Sequence, residues 1–329
     1  MNDVSASSTQ QAVWERSGVP RFHRGINLGD FLESLAEGRH TGGLLIQDDW
    51  FPLLKETGFD CVRLPVRWSA HAAAAAPYAV DQSFMDRVAH LVDAALARGL
   101  VIIVNQHHYI ELTKDPAAHR ERFLALWDAL AARFRGYPER LFFELLNEPN
   151  QALTAPLWNR LWPEAYRRVR AADPSRVIIC GPDGWNNVTG LERLSLAAFP
   201  ADKRLIGTFH YYEPHVFTHQ GAAWVDPPHP LGASWTGTAE QVAAVERDFD
   251  LALAWTVREG RPLFLGEFGA YPKINPEEQV VGWTACVREQ AEKRDIPWCY
   301  WEFCHGFGVW DPRKKAFKKN LLGALLGGA

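Results

Sequence analysis

The chain has no uncharged apolar run of about eighteen residues, so no helix is expected to span a membrane. It has no excess of positive charge either: 35 Lys and Arg stand against 39 Asp and Glu, a net charge of −4 that argues against a nucleic-acid or anionic-membrane surface. The one basic cluster, Arg313, Lys314, Lys315, Lys318 and Lys319, is short and reads as a solvated face. Cysteine is scarce and odd in number. Cys61, Cys180, Cys286, Cys299 and Cys304 sit mostly in apolar runs and read as small buried hydrophobes, not as a disulfide frame or metal site. Glycine forms no phosphate-binding pattern: Gly25 and Gly29 do not fit a G-x-G-x-x-G, and no Gly-rich loop carries Lys with Ser or Thr. The start of the chain is polar and Ser-rich, without the basic residues and apolar run of a signal peptide. A cytoplasmic location is therefore expected if the sequence is complete, and secretion otherwise.

What is present is alternation. Apolar runs with strand character begin at Phe22, Phe59, Leu100, Leu141, Arg176, Arg204, Pro262 and Ile296, and helical patterns stand between them. Asp81 and Asp115-Pro116 open two of the helices, and Thr238 with Gln241 forms a capping-box pattern before another. Eight strand and helix alternations with no break in composition predict a single α/β domain, one (β/α)8 barrel over residues 21–329. Residues 1–20 are expected to be a flexible polar segment.

Barrel enzymes assemble their sites where strands run into the following loops. The fourth strand, Leu-Phe-Phe-Glu-Leu-Leu, delivers Asn147 and Glu148 before Pro149 ends it, and the seventh delivers Glu267 at the same level. Strands four and seven lie three apart in a barrel, so their tips face each other across its mouth. Two carboxyls so placed can divide glycoside hydrolysis, one protonating the leaving oxygen while the other attacks the anomeric carbon. Arg63 by charge and Tyr212 by hydrogen bonding would keep Glu267 ionised, and His210 would support Glu148. Trp301 offers a flat face for a sugar ring. One of the adjacent His107 and His108 should point away from the site, because strand side chains alternate. Glu144 reads as a paired carboxylate of the barrel interior and Glu302 as a supporting residue. No cofactor is expected, and no metal.

These residues resemble glycoside hydrolase family 5, the retaining cellulase-type barrels. The motifs that carry the resemblance are Gly25-Ile-Asn-Leu-Gly29, Val62-Arg-Leu-Pro-Val-Arg-Trp68, His107-His108, Asn147-Glu-Pro149, His210-Tyr-Tyr212, Gly266-Glu-Phe-Gly269 and Tyr300-Trp-Glu-Phe303. The resemblance implies Glu148 as acid/base, Glu267 as nucleophile, and Arg63, His107, Asn147, His210, Tyr212 and Trp301 in the supporting site, with His108 and Asn27 of the same motifs. It is nearest to compact bacterial endoglucanases that also act on mannans, through His107-His108-Tyr109 with Glu111-Leu112, and Phe217-Thr-His-Gln-Gly221 leading to Trp224. Asp30 and Gln106 depart from the pattern and bear on fine specificity. The expected substrate is a β-1,4-linked glucan, with β-mannan as a second class, taken by a monomer; the alternative is a β-1,4-mannanase or another β-glycosidase of the family with little glucanase activity.

Fourteen tryptophans are many for this length. Trp50, Trp127, Trp255 and Trp283 fall on helical patterns and read as core. Trp68, Trp185, Trp224, Trp235, Trp301 and Trp310 fall in strand-end loops, where they could line a groove for an extended sugar chain. His219 and Trp224 are expected to line the subsites that sense the sugar 2-OH.

Overall fold

The computed structural model describes residues 6–327. Eight parallel strands, β1 (Arg24–Asn27), β2 (Cys61–Leu64), β3 (Val101–Asn105), β4 (Leu141–Glu144), β5 (Val177–Cys180), β6 (Leu205–Tyr211), β7 (Leu263–Phe268) and β8 (Trp298–Tyr300), close into a barrel in sequence order, β8 pairing back onto β1. Around it run α1 (Ala6–Ser17), α2 (Trp50–Thr57), α3 (Gln82–Ala97), α4 (Ile110–Lys114), α5 (Pro116–Arg133), α6 (Ala155–Ala172), α7 (His215–Thr218), α8 (Ala239–Glu259), α9 (Glu277–Lys293) and α10 (Lys319–Leu326). A short hairpin of β9 (Trp310–Asp311) and β10 (Ala316–Phe317) follows the last barrel strand.

The helix starts follow their sequence signals. Asp81 and Asp115 accept from the backbone N–H groups of Phe84 and Ala118, and Thr238 with Gln241 closes the capping box of α8. Each such cap stabilises a helix by about 1 kcal/mol.

Alternation along the strands sorts the side chains into two cores. Ile26, Val62, Leu64, Ile102, Val104, Phe143 and Leu265 point outward to the helices. Cys61, Val101, Ile103, Phe142, Val177, Ile179, Ile206, Phe264 and Cys299 point inward and fill the lower barrel. Gly25 pairs in register with both Cys61 and Cys299, and a Cβ there would collide with the Cys299 sulfur. The cysteines are free thiols, all but Cys286 buried.

One expectation is corrected here. Residues 6–17 of the supposedly flexible start form α1, and Val13, Trp14 and Val19 are buried. Trp14 meets Phe22 edge to face, and Phe22 in turn packs on Phe142 and Phe264, so the helix closes the floor of the barrel. The Ser and Gln content of the segment masked this apolar stripe. Its first five residues lie outside the described part.

Candidate active site

Above the apolar layers the inward positions turn polar. Asn27, Arg63, Asn105 and Glu144 continue the inward phase of β1 to β4 and are fully buried. On β6 the inward series Ile206, Thr208, His210 stays in phase, but β7 does not. Phe209 pairs with Leu265 and His210 with Glu267, so Gly266 is an extra residue that shifts the register. A bulge of this kind re-aims the side chain after it. Glu267 thereby points inward and Phe268 outward. A Cβ on Gly266 would approach the Thr208 hydroxyl to 2.7 Å, so the bulge has room only for glycine.

Arg63 is the hub. Its Nε and Nη2 bind the two oxygens of Glu144 at 2.6 and 2.7 Å, its Nη1 donates to Glu267 Oε1 at 2.6 Å and to Asn27 Oδ1 at 2.9 Å, and its Nη2 also donates to Asn147 Oδ1 at 2.6 Å. All five N–H groups of the guanidinium are used, in a planar fork that a lysine could not reproduce. Although burial opposes it, the Glu144 and Glu267 carboxylates hold the guanidinium pKa well above its usual range.

Glu267 accepts from Arg63 on one oxygen and from the Tyr212 hydroxyl, at 2.9 Å, on the other. Burial raises its pKa, while His210 and Arg63 pull it down. Glu148 is bound by neither Arg63 nor Tyr212. Its Oε1 lies 2.8 Å from His210 Nδ1, and desolvation lifts its carboxyl to about 7, with Arg63 opposing and Glu144 reinforcing. Burial also holds His210 at about 4, so its imidazole is neutral near pH 7. Glu148, His210 and Glu267 offer ligand atoms all within 4.8 Å of one another. Such a group could hold a cation, but Arg63 already sets a positive charge 2.6 Å from Glu267. The better-supported chemistry is a proton-holding carboxyl facing an ionised one.

The cleft walls come from the loops. His107 is buried and its ring lies parallel to Trp301, centroids 5.5 Å apart, while His108 is exposed, as alternation requires. Asn105 Nδ2 meets His107 Nδ1 at 3.0 Å, which leaves the ring proton on Nε2. Thr218 Oγ1 donates to the Tyr212 carbonyl and so accepts from His219 Nδ1 at 2.9 Å, which makes His219 Nε2 an acceptor. Trp185 and Trp224, 56% and 58% exposed, border a pocket of about 520 Å³ with Glu148, His210, Tyr212 and His219.

Some expectations need correction. Asn27 is no such case: it is fully buried and spends its amide on Arg63 and on the carbonyls of Gly266 and Tyr300, a supporting place like the one its motif implied. Of the six tryptophans read as groove residues, Trp68, Trp235 and Trp310 are buried; Trp68 donates to the Asn105 carbonyl. Their loops fold back onto the barrel, which sequence position alone does not reveal. Glu302 is buried and accepts from the backbone of Cys304, His305 and Phe307, the supporting role expected of it. Asn105 and Asn186 were missed. Asn105 was visible as the one polar residue in phase with His107; Asn186, whose amide reaches His210 Nε2 at 3.3 Å, had no local signal. Of the two departures, Asp30 pairs with His305 Nδ1 at 2.8 Å, and Gln106 donates to the His108 carbonyl at 3.2 Å. Among the described residues no helix is long and apolar enough to cross a membrane.

Fold and cleft together define a barrel glycoside hydrolase. Residues 33–306 match the family described as cellulase (glycosyl hydrolase family 5). The chain is 31% identical over 325 residues to Endoglucanase H of Acetivibrio thermocellus, which covers 97% of this chain but only 34% of that protein, so this chain spans about a third of its relative. Among solved structures, Thermotoga maritima Cel5A in complex with cellobiose superposes with a TM-score of 0.90 at 43% identity, covering 95% of this chain and 99% of that one. The same enzyme in complex with mannotriose gives the same values. The chain belongs to the cellulase family, glycosyl hydrolase family 5.

Proposed function

We propose that the chain is a retaining endo-β-1,4-glucanase in which Glu267 is the nucleophile and Glu148 the acid/base. The observation that carries this reading is the carboxyl separation: an oxygen of Glu148 and one of Glu267 lie within 4.8 Å. Retaining glycosidases hold their carboxyls about 5–5.5 Å apart, whereas inverting ones need about 6.5–9.5 Å to admit a water. The electrostatics divide the roles in the same sense. Glu267, bound by Arg63 and Tyr212, is the carboxylate ready to attack; Glu148, desolvated beside a neutral imidazole, is the one that holds a proton.

In the first step a Glu267 oxygen attacks the anomeric carbon while Glu148 gives its proton to the departing glycosidic oxygen, leaving a covalent glycosyl-enzyme. Glu148, now a carboxylate, then takes a proton from water, the hydroxide adds to the anomeric carbon, and the bond to Glu267 breaks. Two inversions give net retention. Tyr212 and Arg63 release and recover their hold on Glu267 as its charge vanishes and returns. Asn147, fixed through Oδ1 by Arg63, turns its Nδ2 to the sugar hydroxyl next to the reacting carbon. Trp301 stacks beneath the ring, and Trp185 and Trp224 extend the platform along the chain, which favours internal cleavage of a long substrate.

The glucanase reading stands ahead of a mannanase because the relatives carry endoglucanase names. Activity on β-mannan as a second substrate is supported by the solved relative with mannotriose. The test is reducing-sugar release from carboxymethyl cellulose, barley β-glucan and glucomannan, for wild type and Glu267→Ala. Activity on the glucans that disappears in the variant supports the reading; activity on mannan alone, or equal activity in the variant, contradicts it.

A further inference from the structure

Outside the carboxylate pair, three histidines come together in the loop after β6. His215-Val216-Phe217-Thr218-His219 has a four-residue histidine spacing that the expectation of no metal passed over. The two rings stack, with centroids 4.0 Å apart and planes at 11°. His215 does not use this stack for its polar edge. Its Nδ1 faces Nε2 of His229, 14 residues on, at 2.6 Å.

We propose that His215 and His229 form a two-histidine site for a borderline divalent transition-metal cation of the Zn²⁺ class, which fastens the outer loop 222–237 to the cleft wall.

Two imidazole nitrogens aimed at each other can share one proton or one cation. Two nitrogens on one tetrahedral zinc, each about 2.0–2.1 Å from it, stand about 3.3 Å apart. The pair needs to open by less than 1 Å to admit the ion, and His229 sits on a partly exposed loop that can give this. Both donors are imidazoles, the ligand type that suits Zn²⁺, Ni²⁺ and Cu²⁺ over Mg²⁺ or Ca²⁺. Glu213, which accepts from the His215 backbone N–H at 3.0 Å, adds a negative charge beside the site. Water would complete the coordination.

The cation would act on the loop as a clip. The loop is already tied at its far end, where Gln220 bonds the Ala233 carbonyl and the Gly232 N–H. The His215–His229 contact is the tie nearest its exposed tip. Because His215 stacks on His219, a cation there would also stiffen the wall of the pocket that contains Trp224.

The test uses the full chain freed of any histidine tag. Zn²⁺ titration by calorimetry should show one site per chain, and His229→Gln should weaken it by at least about tenfold, as loss of a ligand does. Zn²⁺ should slow amide exchange in residues 222–231 of the wild type and not of His229→Gln. Binding that survives His229→Gln but is lost in Glu267→Gln would place the ion between the carboxylates and overturn the proposal, as would absence of binding or unchanged exchange in the loop.

Discussion

His210 Nδ1 lies 2.8 Å from Glu148 Oε1, a side chain of β6 meeting one at the tip of β4. Among the described residues no other side chain hydrogen-bonds to this carboxyl, and the imidazole is neutral. It therefore orients Glu148 without supplying the positive charge that would strip its proton, whereas Glu267 faces a guanidinium 2.6 Å away. Two carboxyls of one chemical type are set to different tasks by what each touches.

The pH dependence follows. On the proposed roles, catalysis needs Glu267 ionised and Glu148 protonated, so kcat/KM should fall at low pH as Glu267 takes up a proton. It falls again above about 7 as Glu148 loses its own. The acid limb lies above the ordinary glutamate range because burial raises Glu267 as well. With an aryl cellobioside whose leaving group needs no proton, Glu148→Gln should abolish the alkaline limb while keeping the acid one. An alkaline limb that persists in this variant would show that another group supplies the proton.

The barrel and most of the site were legible in the sequence because they depend on local pattern. Glu144 read as barrel interior from its place inside strand four, alternation allowed only one of His107 and His108 to face the site, and Pro149 marked where Glu148 leaves its strand. What was not legible depends on contacts across the fold. Asn27 could be placed in the site only through its motif, whereas the contacts that fix its amide, to Arg63 and to two carbonyls from distant strands, are not local. Trp68 reads like a groove residue, yet its ring packs edge to face on Phe84. The inward aim of Glu267 depends on the bulge at Gly266, which only the pairing of β6 with β7 reveals.

Arg63 should be indispensable to both stability and catalysis. Arg63→Met leaves Glu144 and Glu267 buried beside each other without a counter-charge, a change that typically costs about 3–5 kcal/mol. Urea unfolding should register this loss, and activity should fall with it. A variant as stable as wild type at pH 7 would show that the carboxylates find compensation elsewhere.

Trp185 and Trp224 should act on binding of the chain, not on the chemical step. Replacing either with Ala should raise KM for a long β-glucan about fivefold, the equivalent of about 1 kcal/mol of lost stacking, and leave turnover of an aryl cellobioside nearly unchanged. Equal loss with both substrates would place these side chains in the reaction itself.

His219 presents an acceptor nitrogen to the pocket because Thr218 occupies its other edge. Removing it should change how the site distinguishes an equatorial from an axial 2-OH, so His219→Ala should alter the ratio of glucomannan to barley β-glucan activity. An unchanged ratio would remove His219 from sugar discrimination.

The most direct measurement is to trap the intermediate. Wild-type protein treated with 2,4-dinitrophenyl 2-deoxy-2-fluoro-β-cellobioside should gain the mass of one fluorocellobiosyl group, and peptide mass spectrometry should find it on Glu267. A label on Glu148 would reverse the assigned roles. A freely hydrolysed substrate whose first product is the α-anomer, with no label on the protein, would contradict double displacement altogether.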